Sequence, residues 1–421
     1  MEVNEALRNQ FELKELELNS LLEVTQAINN NLPEASLYKI YNFTLRANLN
    51  IKKLALYVLN EQEEQPDYWE CKTNFGTVTD FNKVLLSEHF LPIQEITYVQ
   101  DLEEPGVFTE FDILIPVSHK ERMLSLVFVS GLKKDTDSTS TQTGTTFIQA
   151  LSNIIIVAIE NKKLARRQLA QEAIRKEMEI AQQVQQFLFP KNLPRRPGLA
   201  VEASYVPHYS VGGDYYDFIW LTSNHFLVCV ADVSGKGVPA ALLMSNFQAA
   251  LRTIVRQTMN LKEIIPELNY QVMQSANGEN FITFFVAIYD QESHKLWYVN
   301  AGHIPPLLIH KNQARHLDQG TVMLGSFQPL PFLHHGTLHD VDEFLLFAYT
   351  DGLTETFNRQ EEEFGIERLE KLLIEQSETD LPTLHQNVFN ALTDFNGGRA
   401  YDDDVTFLSV RADTKLLAGN S

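Results

Sequence analysis

Aspartates at the ends of apolar stretches in the C-terminal half are the feature that most restricts how this chain can fold and act. Asp232 ends HFLVCVAD, Asp351 ends FLLFAYTD, residues 402–404 precede VTFLSV, and Asp214 lies in SVGGDYYDF. A single aspartate after a strand predicts only a turn, because its side chain bonds the next backbone N–H groups. Four such segments in one region predict instead that several strand ends meet at a shared acidic site.

Carboxylates that converge in this way cannot all stay ionised side by side without a cation. Hard oxygen ligands select Mg²⁺ or Mn²⁺ over softer ions, and two such ions about 3.5–4 Å apart can share one aspartate and one water. The glycines of DVSGKG and DGLTE leave space for a bulky phosphate. The pattern therefore predicts metal-dependent phosphate chemistry without a cysteine or serine nucleophile.

The length, charge and cysteine content of the chain limit its number of domains, its partners and its location. A chain of 421 residues exceeds one ordinary core and predicts two or three domains. Its net charge of −21 disfavours nucleic acid and anionic membranes as partners. The N-terminus is charged, and no apolar run approaches the roughly 20 residues of a membrane span. Two distant cysteines predict neither a disulfide framework nor a metal pair. We expect a cytoplasmic protein.

The N-terminal part predicts a helix over residues 1–30 and a mixed domain over residues 31–160. The heptad-like face of the first helix consists of Leu7, Phe11, Lys14, Leu18, Leu21, Thr25 and Ile28. That face fits either a coiled coil or an amphipathic helix on its own domain. A second helix is predicted to open at Pro33 and Glu34, strands at 53–59, 113–117 and 124–129, and a polar loop at 133–146.

A long helix is predicted from Phe147 to Pro190, with residues 161–190 as a linker between domains. Its end carries a second heptad-like face of Ile174, Met178, Ala181, Gln185 and Leu188. The linker either pairs with its copy in a dimer or packs on the domain that follows, and both can hold because a helix has two faces.

Residues 191–412 predict an α+β domain, followed by a flexible tail at 413–421. Strands are expected at 200–206, 215–220, 226–231, 281–290, 295–300, 306–310, 343–349 and 404–410, and helices at 238–258, 261–276, 366–377 and 381–394. Strands in hairpin-like succession with inserted helices fit a sandwich rather than a doubly wound sheet.

The segments GGDYYD, ADVSGKGVPAAL, NAGHIPPLL, YTDGLTE and DDDVTFL together resemble the metal-dependent protein phosphatase superfamily (PPM), in particular its bacterial SpoIIE/RsbU-type branch. The resemblance covers roughly residues 175–411. It implies an α–β–β–α sandwich with two Mn²⁺ or Mg²⁺ ions between the sheets. It also implies a serine/threonine phosphatase whose substrate is a phosphorylated anti-sigma-factor antagonist.

The resemblance also implies a set of site residues. Asp214 binds one ion, Asp232 bridges both, Val233 offers its backbone carbonyl, and Asp351 and Asp403 complete the second ion's ligands. Asp214 and Asp232 are thus expected to carry the chemistry. Asp403 is chosen because Asp403-Asp404-Val405-Thr406 matches the family pattern, with Asp404 as second choice. We expect Asp402 to be solvated and Asp217 to be structural.

Other polar residues near the motifs are assigned less directly. No arginine matches the phosphate-binding arginine of eukaryotic relatives, so phosphate binding rests on the metals and on Lys236. His303 fits either a proton donor to the leaving oxygen or a histidine bonded within its loop, and the loop reading is favoured. His334 and His335 are adjacent and are given no metal role.

Residues 20–160 resemble a GAF domain, which implies either a small-molecule ligand or a dimerisation role. Sensory domains of such enzymes act through the helix that enters the phosphatase, so we expect a homodimer in which the linker helix orders the metal site. GGDYYD lacks the acidic residue of a diguanylate cyclase signature, and DVSGKG lacks the Ser/Thr of a P-loop. The rival that remains is a catalytically silent binding module with the same fold.

Overall fold

The chain divides into two compact units, Met1–Glu172 and Ala173–Ser421. The computed structural model describes residues 2–62, 65–86, 90, 92–119, 122–132, 138–276 and 280–413. Over these ranges, no helix is both long and apolar enough to cross a membrane. The flexible tail predicted for 413–421 lies outside the described residues, apart from Asp413, which ends a strand.

The first unit is an antiparallel sheet with helices packed on one face. Its helices are α1 (Glu2–Asn29), α2 (Glu34–Leu49) and the first part of α3 (Ser138–Gln186). Its strands are β1 (Lys53–Gln62), β2 (Gln65–Phe75), β3 (Thr97–Tyr98), β4 (Ile113–His119) and β5 (Arg122–Ser130), in the order β2-β1-β5-β4-β3. Strand side chains alternate between faces, so Leu54, Leu56 and Val58 pack against the helices while Ala55 and Tyr57 point to the other side.

The face of this sheet away from the helices is covered by aromatic side chains. Phe108 packs against Phe90 and Phe128 with ring centroids 4.8 and 4.4 Å apart, and Phe81 packs 5.3 Å from Phe108. The Tyr57 hydroxyl donates to the carbonyl oxygens of Phe81 and Val84. Large aromatic surfaces therefore fill this second core.

The N-terminal helices agree with prediction, and their burial favours one reading of α1. Val24 and Ala27 are buried in the core of the first unit, whereas Phe11 and Leu18 are exposed, and the Leu7 side chain lies outside the described residues. The second half of α1 is therefore an amphipathic helix on its own domain. The exposed Phe11 and Leu18 are available to pair with another helix, so the coiled-coil alternative stays open.

The polar loop predicted at 133–146 is wrong for residues 138–146, which form the first turns of α3, while 133–137 lie outside the described residues. The Ser/Thr-rich segment has low helix propensity, but Phe147 and Ile148, buried in the core, anchor the helix that it joins. Strand β2 was not predicted. It pairs with β1 at the edge of the sheet, where a polar strand can face solvent.

The second unit contains five helices and twelve strands among its described residues, in addition to the end of α3. The helices are α4 (Val238–Ile254), α5 (Leu261–Ala276), α6 (Asp351–Thr354), α7 (Ile366–Glu375) and α8 (Leu381–Asn396). The strands are β6 (Arg195–Arg196), β7 (Leu199–Val206), β8 (Tyr215–Trp220), β9 (His225–Val233), β10 (Ile282–Asp290), β11 (Lys295–Ala301), β12 (Leu307–His310), β13 (Gln313–His316), β14 (Gly320–Thr321), β15 (Gly336–Leu338), β16 (Glu343–Tyr349) and β17 (Val405–Asp413).

These elements form a sandwich of four layers. One six-stranded sheet has the order β14-β11-β10-β9-β8 with β15 on β11, and the other has the order β13-β12-β16-β17-β7-β6. Leu227 and Cys229 of β9 pack against α4 and α5, while Val228 and Val230 face the second sheet. Helices α7 and α8 cover the outer face of that second sheet. The expected α–β–β–α sandwich is therefore observed.

The predicted strands and helices of this unit are confirmed, mostly to within two residues at each end, although α4 ends four residues earlier than predicted. The short elements β6, β13, β14, β15 and α6 were not predicted, because two to four residues carry too little periodicity to detect. Strands β9 and β17, next to the other acidic motifs, are central: β9 pairs with β8 and β10, and β17 pairs with β16 and β7. Strand β8, which follows Asp214, lies at the edge of its sheet.

Candidate metal centre

The acidic motifs meet where strands of both sheets end. Asp214 lies directly before β8 and Asp232 is the next-to-last residue of β9, both in the first sheet. Asp351 begins α6, separated by one residue from the end of β16, and residues 403–404 lead into β17, and both strands belong to the second sheet. The two sheets thus supply carboxylates to one acidic cluster, which we define as Asp214, Asp232, Asp351, Asp403 and Asp404.

Asp214 is the most deeply buried member of the acidic cluster. Its side chain is almost fully enclosed, and the Thr350 hydroxyl donates to its Oδ2 over 2.8 Å. Burial raises its pKa well above the ordinary value, and the charges of Asp232 and Asp404 raise it further. A bound cation would relieve this penalty.

Asp232 interacts electrostatically with every other member of the cluster. Burial, followed by the charges of Asp351 and Asp403, raises its pKa to about 7. Burial, followed by the charge of Asp403, also raises the pKa of Asp351. Mutual repulsion of this kind is typical of carboxylates arranged for a metal or for catalysis rather than for turns.

Asp403 and Asp404 are adjacent in sequence but have different surroundings. Asp404 is buried and accepts hydrogen bonds from the backbone N–H groups of His208 (2.7 Å) and Gly213 (2.9 Å), one on each oxygen. Asp403 is half-exposed, and its Oδ2 lies 2.9 Å from the Lys236 ammonium. Asp404 therefore fixes the loop before β8, whereas Asp403 presents an oxygen that a cation can reach.

Two glycines allow the loops to come this close. A Cβ at Gly212 would lie 1.9 Å from Asp404 Oδ2, and one at Gly352 would lie 2.1 Å from the Asp404 carbonyl oxygen. Any larger residue would push Asp404 away from the loop before β8 or from α6. The glycines of GGDYYD and TDGLTE therefore keep the two sheets' loops together.

The donor set fits Mg²⁺ or Mn²⁺, because it consists of hard oxygens that repel one another. Val233 directly follows Asp232, and its carbonyl oxygen faces Gly213. A Cβ at Gly213 would lie 2.8 Å from this oxygen. As they stand, no three His, Cys, Asp or Glu side chains in the described ranges are close enough to hold an ion. Metal binding thus requires small side-chain movements, and Asp403, which is half-exposed, must exchange its contact with Lys236 for the ion.

Asp217 and Asp402 lie outside the acidic cluster. Asp217 is fully buried, and Arg252 of α4 donates to its Oδ2 from Nε (2.7 Å) and to its Oδ1 from Nη2 (3.0 Å). The Tyr215 hydroxyl also donates to Asp217. Asp402 is exposed, and its carbonyl oxygen accepts from Lys236. These surroundings agree with the structural and solvated roles expected of them.

His303 is buried with both ring nitrogens engaged. Its Nδ1 lies 2.8 Å from the Thr283 hydroxyl, and its Nε2 lies 3.0 Å from the Tyr349 carbonyl oxygen. Thr283 is opposite Asp232 in the β9–β10 pairing. Burial lowers the pKa of His303 to about 4, so the ring is neutral. This geometry favours a brace between the two sheets over a proton donor.

Thr350 and Tyr205 escaped sequence reasoning, and Gln185 was noted there only as a heptad position. Thr350 donates to Asp214 and Gln185 bonds the Gly212 backbone, whereas the buried Tyr205 hydroxyl has no hydrogen-bond partner among the described residues. Burial raises the pKa of Tyr205, and the charges of Asp404 and Asp214 raise it further, so its hydroxyl lies near both. Thr350 lies within YTDGLTE and could have been found there, whereas Tyr205 carries no local signal.

The chain is similar in sequence to known proteins. The family model for stage II sporulation protein E (SpoIIE) matches residues 222–413. The phosphoserine phosphatase RsbU of Bacillus subtilis is 32% identical over 238 residues, which cover 55% of this chain and 69% of RsbU. The phosphoserine phosphatase RsbP of the same organism is 24% identical over 184 residues, 42% of this chain and 45% of RsbP.

A solved structure shares the sandwich. The SiaA PP2C domain of Pseudomonas aeruginosa superposes with a TM-score of 0.51 at 19% identity and covers 58% of this chain and 99% of that domain. The match to RsbU defines a protein phosphatase, and the sandwich agrees with the fold of the SiaA PP2C domain. The extent of the match to RsbU shows that the chain belongs to the SpoIIE family.

Proposed function

We propose that the chain hydrolyses phosphoserine or phosphothreonine on a partner protein with the help of two Mn²⁺ or Mg²⁺ ions in the acidic cluster. The observation that carries the proposal is the burial of Asp214 and Asp232 against like charges, which raises the pKa values of both carboxyls. Such an arrangement is costly unless cations offset it.

Each cluster residue has a place in this proposal. Asp214 would hold one ion, Asp232 would serve both, Val233 would offer its backbone carbonyl oxygen, and Asp351 and Asp403 would hold the second ion. When bound, the ions supply a low-pKa water and neutralise phosphate charge. Asp404 is the alternative ligand, but its two backbone hydrogen bonds support a positioning role. Lys236 adds a cation for the phosphate at the edge of the cluster.

The proposed substrate is a phosphorylated anti-sigma-factor antagonist. RsbU and RsbP are named as phosphoserine phosphatases, which supports a phosphoserine protein as the substrate class. The net charge of −21 repels strongly acidic substrates, except close to the bound metal ions, where the positive charge dominates the local field.

The first unit is proposed as a GAF-like sensor that takes a small molecule or serves for dimerisation. Aromatic rings fill the sheet face away from the helices. This packing argues against a small-molecule ligand on that face and so supports the dimerisation role. Exposed apolar side chains on α1 and α3 support a homodimer: Phe11, Leu18 and Leu22 on α1, and Leu164 and Leu169 on α3.

Regulation is proposed to pass through the end of α3. Gln185 is buried, donates from Nε2 to the Gly212 carbonyl oxygen over 2.8 Å, and accepts from the Gly212 N–H over 3.4 Å. The side chain therefore packs on the phosphatase domain, not in a helix-pairing seam as its heptad position suggested. Any shift of this turn of α3 would move the loop that ends in Asp214.

Replacing Gln185 by leucine is expected to weaken Mn²⁺ binding by roughly tenfold, because two hydrogen bonds to the Gly212 backbone are lost and left unsatisfied. Gln186→Leu is the matched control, since Gln186 is the adjacent, exposed residue of the same type. Isothermal titration with Mn²⁺ measures both variants. Equal Mn²⁺ affinities in the two variants would remove α3 from the proposed regulation.

Hydrolysis of an aryl phosphate and of a phosphoserine peptide by the full chain tests the proposed function. Both reactions are expected with Mn²⁺ or Mg²⁺ and are expected to stop with a chelator. If the chain binds Mn²⁺ but hydrolyses neither the aryl phosphate nor phosphoserine peptides of several sequences, the catalytically silent binding module is favoured. Metal-independent hydrolysis would contradict the proposed mechanism.

A further inference from the structure

Lys236 links the two sides of the acidic cluster. It lies in the loop between β9 and α4, on the first sheet. Its ammonium pairs with Asp403 Oδ2 at 2.9 Å and donates to the Asp402 carbonyl oxygen over 2.8 Å, both in the loop that leads into β17 of the second sheet. The side chain thus crosses from one sheet's loop to the other's at the edge of the cluster.

The contact is made where the cluster is open to solvent. The Lys236 and Asp403 side chains are 45% and 48% exposed, whereas Asp214 and Asp404 are buried. Among ion pairs in the described part of the chain, this is the one that reaches the acidic cluster. A half-exposed pair of this kind is weak and opens easily.

We propose that Lys236 is an internal competitor for the metal at Asp403: its ammonium occupies this carboxylate in the metal-free enzyme and must leave before a divalent ion binds there. The proposal rests on the proposed metal site and adds a control on its loading. One Asp403 oxygen cannot serve the ammonium and a divalent ion together, since the two cations would lie within a few ångströms of each other.

Displacement of Lys236 has a second consequence. The lysine releases the Asp402 carbonyl as well as Asp403, so the Asp403 side chain can turn toward Asp232 and Asp351 while Asp404 stays held by its own hydrogen bonds. No three ligands in the described ranges are yet in metal-binding positions. Breaking this contact is the step that lets Asp403 join them, and the affinity of the second ion therefore includes the cost of that step.

Mn²⁺ titration of the chelator-treated full chain tests the proposal. Lys236→Met is expected to bind Mn²⁺ about fivefold more tightly than the wild type, the effect of removing one half-exposed competing pair. Lys371→Met is the charge-matched control, since Lys371 pairs loosely with Glu375 on α7. Its Mn²⁺ affinity is expected to equal that of the wild type, which separates local competition from a change in net charge.

Lys236→Arg provides the opposite test. A guanidinium can hold a carboxylate through two hydrogen bonds, so the Mn²⁺ affinity of this variant is expected to match or fall below that of the wild type. If Lys236→Met binds Mn²⁺ with an affinity equal to or weaker than that of the wild type, the proposed competition is wrong, while the proposed metal site still stands. If neither the wild type nor Lys236→Met binds Mn²⁺, the proposed metal-dependent function itself fails.

Discussion

Replacing Asp232 by asparagine is expected to lower metal-dependent phosphatase activity by roughly 100- to 1,000-fold. Asp232 is the carboxylate that interacts electrostatically with every other member of the cluster. Asparagine keeps the size of the side chain but removes the charge that would hold ions between them. Initial rates on an aryl phosphate, with saturating Mn²⁺, measure the loss.

The same substitution is expected to leave the metal-free fold as stable as the wild type or to stabilise it. The pKa of Asp232 in the folded chain is about 7, well above the ordinary value of about 3.9. The folded state therefore binds more protons than the unfolded state between these values, so the free energy of unfolding falls as pH rises from about 4 to 7. Asparagine does not titrate, so this pH-dependent fall in the free energy of unfolding disappears.

Thermal unfolding in chelator at pH 5.5 and pH 8 checks the second expectation. The advantage of Asp232→Asn over the wild type should be larger at pH 8, where the wild-type carboxylate is charged. Asp394→Asn, an exposed aspartate on α8, is the control for both activity and stability. An inactive Asp232→Asn that is also much less stable would point to a structural role instead.

Replacing Arg252 by methionine is expected to destabilise the phosphatase domain by about 3 kcal/mol. Arg252 is the cation that holds the fully buried Asp217 through two hydrogen bonds. Without it, the Tyr215 hydroxyl and the Phe218 N–H would be the remaining donors to the buried carboxylate among the described residues. The estimate is at the low end for a broken buried pair, because Arg252 itself is partly exposed.

Urea unfolding of the full chain measures this effect. Arg256→Met, an exposed arginine just after the end of α4, is the matched control and should change stability little. Asp217→Asn introduced into Arg252→Met should recover part of the loss, because the uncompensated charge disappears. No recovery in the double variant would mean that packing of the arginine, rather than its charge, stabilises the domain.

The order and bounds of the main elements in the second unit could be predicted from the sequence. Apolar residues in β9, β10 and β17 form runs that are buried on both faces, and α5 and α8 have clear helical periodicity. Buried central strands of a sandwich leave such strong local signals. The short β14 and β15, which depend on pairing with β11, leave none.

The sequence by itself determined that aspartates lie at the ends of apolar strands, before or after them, and hence predicted an acidic cluster there. Only the tertiary structure decided which aspartate does what. Asp403 and Asp404 are neighbours with the same chemistry, and the backbone N–H groups of His208 and Gly213 turn Asp404 inward while Asp403 meets Lys236. Gln185 likewise carries a heptad pattern that fits a helix pair, yet its hydrogen bonds go to Gly212. Local patterns record which faces are apolar, whereas such contacts join residues far apart in the chain and exist only once the sheets have packed.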